Sequence, residues 1–272
     1  ATADTINLAQ VTGLTDLNQV GSSANGDTTF TNVANVVNSK MANGTGDLSV
    51  TYSDDAVVGT TDSATLTLGN QTAGTYTLDS ATAGGVETLA VVSGTSKNTV
   101  NITDTKNILA TVNVSGDQAL VTTIDSTALR TVNAATATGA LDVTTAITGD
   151  MDLTGGTGDD TFTFSSTSWT LADTVDGGAG TDVLEIGTAI TLATGLQNVS
   201  NVETVKMSGG ADVTLALDAN VMNFDFTETG ANVLTLNTGV TAAASVTLGI
   251  TGADQAVNSA NVAMTVNGSG AA

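Results

Sequence analysis

Residues 155–164 read GGTGDDTFTF, and 22 positions further on residues 177–186 read GGAGTDVLEI. Both stretches carry glycine at places one, two and four, aspartate at place six and an apolar residue at place eight. Paired glycines admit positive φ and let the backbone fold with its carbonyls turned inward. An aspartate at a fixed place adds a carboxylate to the same concavity. One such turn supplies about half the shell of a calcium ion, and a second turn stacked on it completes roughly six oxygen ligands. Asp159 and Asp176 flank the turns and are further oxygen donors. A metal-free reading stands beside this one, in which the glycines only form tight corners of a scaffold.

Composition excludes most other chemistry. The 272 residues include no histidine and no cysteine, so disulfides, thiolate metal sites, thiol catalysis and triads built on histidine are impossible. Five Lys+Arg stand against 27 Asp+Glu, a net charge of −22. Such a chain repels nucleic acid and anionic membrane surfaces, and it is poorly equipped to bind phosphate. Its abundant donor is oxygen, and hard oxygen ligands suit Ca2+. Carboxylate pairs for glycoside hydrolysis have no aromatic-rich cleft beside them, so no enzyme is expected. High net charge is also a mark of disorder, but 40% of the residues are hydrophobic. Val, Ile, Leu and Thr recur in alternating runs, the pattern of a folded β protein. No apolar run approaches a membrane-spanning length, and no signal peptide is visible. The chain opens Ala-Thr-Ala-Asp without methionine and is expected to be a piece of a longer, extracellular polypeptide.

The turns need elements on either side to hold them. From Leu48 onward short alternating runs appear: LSVTY, ATLTL, TYTLD and VETLAVV. A regular series follows at 99, 111, 121, 131, 142, 151 and 161, and a similar one runs from DVLEI to VAMTV after the second glycine turn. Runs of four to six residues about every ten, separated by Gly, Asn, Asp, Ser and Thr, read as strand–turn units. The near-constant step, the 3% aromatic content and the absence of proline favour a coil over an antiparallel sandwich, because each strand keeps its N–H groups for neighbours on both sides. The fold class expected is all-β, a right-handed parallel β-helix or β-roll with coils of about 20 residues. A short N-terminal helix is also expected, since Phe30, Val33, Val36, Val37 and Met41 fall at helical spacing, with Asp27 or Thr28 as N-cap. Residues 1–46 then form a helical or irregular cap or linker, 47–154 a Thr-rich β-helical block, 155–186 the glycine turns that would bind calcium and 187–272 a second β-helical block. VET recurs at Val86 and Val202, 116 positions apart, as part of a longer repeat. Asp54, Asp55, Asp104, Asp117, Asp125 and Asp142 are read as solvated turn carboxylates, and Trp169, Tyr52 and Tyr76 as packing residues. Because 22 residues is close to one coil, the two glycine turns are expected to stack with one Ca2+ between them.

GGTGDDTFT and GGAGTDVLE match the nonapeptide G-G-x-G-x-D-x-U-x, and the chain resembles RTX (repeats-in-toxin) proteins, in particular RTX-type bacterial surface-layer proteins. The strict match covers two nonapeptides, and the Thr-rich strands and VET segments extend it loosely over residues 48 to 270. The resemblance implies calcium ligands from Gly155, Gly156, Thr157, Gly158 and Asp160, and from Gly177, Gly178, Ala179, Gly180 and Asp182. The aspartates would act through side chains and the other residues through carbonyls. It also implies that Phe162 and Leu184 point into the coil. The pattern departs from long uninterrupted RTX arrays: two copies flank the insertion FSSTSWTLADTVD.

The function expected from these readings is structural. The chain would be a secreted, calcium-stabilised segment of a bacterial surface layer or filament. Its partners would be copies of itself, with cell-surface polysaccharide bound through another region, and neither nucleic acid nor membrane insertion. The alternatives are an adhesin, a glycan- or ice-binding module, or the repeat portion of a larger secreted enzyme. Against the ice-binding alternative, the threonines show no single fixed place in every coil of the sequence.

Overall fold

A computed structural model describes residues 3–165, 168–170, 172–187, 196 and 198–207, and beyond these the strands Val213–Leu215, Asn223–Phe226, Val233–Leu236, Val246–Ile250, Ala256–Ser259 and Met264–Gly268. The parts of the expected second block between those strands lie outside the described residues. The chain divides into two compact units, Ala1–Val143 and Thr144–Ala272.

In the first unit the chain winds as a parallel β-solenoid, each coil giving one strand to each of two sheets. One sheet runs Asp4–Asn7, Thr28–Val33, Leu48–Tyr52, Thr75–Ser80, Asn101–Asp104 and Leu120–Asp125. The other runs Asp16–Val20, Asn38–Gly44, Ser63–Gln71, Thr88–Gly94, Thr111–Gly116 and Thr131–Ala137. Every pairing is parallel, and the register stacks like on like. Leu48, Tyr76, Ile102 and Ile124 form one interior column, and Leu17, Ser39, Leu66, Val91 and Val114 form a column in the other sheet. Alternation along each strand aims these residues inward, and Leu48, Leu66, Tyr76, Val91 and Ile102 are fully buried. Each such apolar side chain contributes roughly 1.5–3 kcal/mol by leaving water.

Coil length varies around the expected 20 residues. Thr28 lies opposite Leu48, 20 positions on, whereas Leu48 lies opposite Tyr76, 28 positions on. The longer coil carries most of its extra residues between Tyr52 and Ser63, partly in the 3-10 turn Asp54–Ala56, and its strand Ser63–Gln71 is longer than Asn38–Gly44.

The expected N-terminal helix is not formed. Residues 28–44 instead hold the strands Thr28–Val33 and Asn38–Gly44. The misleading spacing has a local cause. Asn32 takes φ 57, and the register shifts between Phe30 and Val33. This bulge turns two residues three apart toward the same interior. Asn43 and Asn70 also take positive φ, 53 and 58, facing each other without a register shift, and the Asn70 amide donates to Asn43 Oδ1 at 3.2 Å. Asp27 caps no helix; its Oδ1 accepts the N–H of Asp47 in the next coil, and Asp47 Oδ1 accepts that of Thr75.

The second unit is also parallel β. One sheet contains Thr161–Phe164, Val183–Ile186, Thr204–Met207, Asn223–Phe226, Val246–Ile250 and Met264–Gly268. A second contains Asp152–Thr154, Thr174–Asp176 and Val199–Ser200, and a third contains Val213–Leu215, Val233–Leu236 and Ala256–Ser259. Phe162, Leu184 and Val205 stack in register and are fully buried, so the apolar place of each nonapeptide faces the interior. Trp169 stands edge-on to Phe164, ring centres 4.9 Å apart, which is packing.

Candidate metal centre

The two glycine turns link the strands Asp152–Thr154 and Thr161–Phe164 in one coil and Thr174–Asp176 and Val183–Ile186 in the next. They stack directly at the offset of 22. The N–H of Ala179 donates to the Gly156 carbonyl at 2.9 Å, that of Val183 to the Asp160 carbonyl at 2.8 Å, and that of Thr181 to Asp159 Oδ1 at 2.8 Å.

The stacking is tight enough to exclude side chains. A Cβ on Gly155 would stand 2.0 Å from the Gly177 carbonyl oxygen and 2.4 Å from Asp160 Oδ2. A Cβ on Gly177 would stand 1.9 Å from the Asn201 carbonyl oxygen and 2.6 Å from Asp182 Oδ2. Each turn therefore brings one carboxylate oxygen of its own and one carbonyl oxygen of the following coil against its first glycine. Thr157, Gly158, Ala179 and Gly180 form the outer part of the turns, half-buried or exposed.

Both turn aspartates are buried, Asp160 at 1% and Asp182 at 0% exposure. Much of what they do is scaffolding. Asp160 Oδ2 accepts the N–H of Gly156, and Asp182 Oδ1 accepts the N–H of Asp160, each at 2.7 Å. The second turn is built differently from the first. Gly178 takes φ +92 and its N–H goes to Asp176 Oδ1 at 3.2 Å, an oxygen that also accepts the Asn201 amide at 2.7 Å. Asp182 Oδ2 is left fully buried without any hydrogen-bond donor. Burial pushes the Asp182 carboxyl up to about 6; the Asp160 N–H opposes that rise, and the charges of Asp160, Glu203 and Asp159 reinforce it.

Glu203, the central residue of the second VET segment, belongs to this corner. Its Oε2 accepts the N–H of Asp182 at 2.7 Å, while the Asp182 carbonyl accepts the N–H groups of Glu203 and Thr204. The first unit repeats the arrangement: Glu87 Oε2 accepts the N–H of Asp62, and the Asp62 carbonyl accepts those of Glu87 and Thr88. The available signal was an aspartate preceding each VET by about one coil.

The other acidic residues divide by partner. Asp104 is buried, and its carboxylate accepts the N–H groups of Lys106, Ile108 and Leu109 and the Ser126 hydroxyl. Asp54 caps the N–H groups of Thr82 and Ala83, and Asp173 that of Met151. Such bonds tie coil corners together; of the aspartates expected to be solvated, Asp104 is buried, whereas Asp54 stays at the surface and Asp55, Asp117, Asp125 and Asp142 are exposed. Among the described residues the ion pair found is Lys106 Nζ with Asp79 Oδ1, at 3.5 Å.

The donor set fits a hard cation in chemical type: Asp182 Oδ2 is a buried, donorless anionic oxygen with a carbonyl beside it. Among the described residues no three acidic side chains gather tightly enough to hold a metal by themselves. A bound cation would therefore take much of its shell from backbone carbonyls. No family model, curated protein or solved structure matches the chain. The chain is a parallel β-solenoid with acid-capped corners.

Proposed function

We propose that the chain is a structural, non-enzymatic segment of an extracellular bacterial assembly, a surface layer or filament. It binds Ca2+ at the glycine turns and associates with copies of itself. The observation that carries this reading is Asp182 Oδ2, a buried carboxylate oxygen with no donor in a chain of net charge −22. Calcium there offsets the charge, and its binding free energy becomes folding free energy. Extracellular modules bind calcium at roughly 10⁻⁴ to 10⁻³ M, which couples ordering to the medium outside a cell. Circular dichroism and light scattering with calcium and with chelator test the reading. Calcium should raise Tm and drive assembly, and indifference of both removes it.

A second reading, a glycan- or ice-binding module, draws on one observation. In the first unit Thr5, Thr29, Ser49, Thr77 and Thr103 stack in register at outward positions, although the sequence shows no such regularity. Ice-crystal shaping or glycan-array binding by the calcium-free chain would favour it.

A further inference from the structure

We propose that the cation at the glycine turns is held between the second turn and the coil that follows it, by Asp182, Glu203 and the carbonyl of Asn201, rather than shared between the two glycine turns. The proposal rests on the calcium reading above and fixes where the ion sits.

The argument is the asymmetry between the two turns. At the first, the Gly156 N–H fills Asp160 Oδ2. At the second, the equivalent N–H of Gly178 is diverted to Asp176, which the Asn201 amide holds in place. The face of Asp182 toward the first turn is also occupied, since Oδ1 accepts the Asp160 N–H. What remains is Oδ2, at 0% residue exposure and without a donor. It lies against Gly177, at the same point the Asn201 carbonyl approaches. Asn201 takes φ 50 there, in the left-handed region. Glu203, two residues on, already has its carboxylate at the Asp182 backbone. Two carboxylates and a carbonyl with no described base beside them are the donor set of a divalent, oxygen-seeking cation. A proton or a monovalent ion leaves one of those negative charges unbalanced.

The test is Ca2+ titration of the full chain by calorimetry, with the calcium-induced rise in Tm as a second readout, for the wild type, Asp182→Asn, Glu203→Gln and Asp160→Asn. Gln keeps an oxygen for the Asp182 N–H, so Glu203→Gln removes charge while retaining the coil contact. Expected are loss of the site in Asp182→Asn, at least about tenfold weaker binding in Glu203→Gln and nearly unchanged binding in Asp160→Asn. Wild-type affinity in Glu203→Gln overturns the proposal and leaves the calcium reading intact. So does an Asp160→Asn defect as large as that of Asp182→Asn, an arm that decides even if Glu203→Gln fails to fold. Absence of binding by the wild type removes both.

Discussion

Asp182 combines full burial with a carboxylate oxygen that has no hydrogen-bond donor. Its carboxyl titrates near 6 because it is buried, whereas an aspartate in an unfolded chain titrates near 4. Between about pH 4 and pH 6 the folded chain holds a proton that the unfolded chain has lost. This contribution to stability is complete below pH 4 and lost as the pH rises through 6. In calcium-free buffer Asp182→Asn should therefore flatten the fall in Tm across that interval and raise Tm at pH 7, as measured by thermal melts of the two proteins. The glycines make a separate prediction. A methyl on Gly177 meets the Asn201 oxygen at 1.9 Å, so Gly177→Ala should cost at least about 2 kcal/mol with or without calcium. Gly13→Ala, at φ +70 with open space around it, should cost about 1–2 kcal/mol from the left-handed backbone alone. Chemical denaturation compares them.

At the scale of the element, the recurring unit is a carboxylate that reaches across one coil to a backbone N–H. Glu87 performs this for Asp62. Glu87→Ala should remove about 1–2 kcal/mol and deprotect the Asp62 amide in hydrogen exchange, while Glu87→Gln should leave its protection nearly intact. Within the core, Leu89→Ala at a fully buried position should cost about 2–5 kcal/mol. The strands themselves were readable because alternation survives in runs such as LSVTY and TVNV, where every second residue is buried. Readability fails where the period breaks. The bulge at Asn32 sets Phe30 and Val33 on one face and imitates a helical step. The stacking of the glycine turns followed from their spacing, because one full coil separates them. The role of Glu203 did not, since its partner Asp182 lies 21 residues earlier and no local pattern records a contact between coils.

For the molecule as a whole, 27 acidic residues against five basic ones make self-repulsion, and with it stability, sensitive to ionic strength. Calcium should raise Tm by more than an equal ionic strength of sodium chloride; equal shifts would mean general screening and no site. Within each unit the register joins a strand to the strands one coil before and after it, so stability is a sum over neighbouring contacts. That connectivity has a mechanical consequence. A unit stretched between its termini peels from an end, one coil at a time, and does not rupture at a single plane. Each coil of 22 residues, the spacing of Phe162 and Leu184, releases about 75 Å of chain. A force–extension trace should be a staircase whose tallest step, in calcium, marks the coil that carries Asp182.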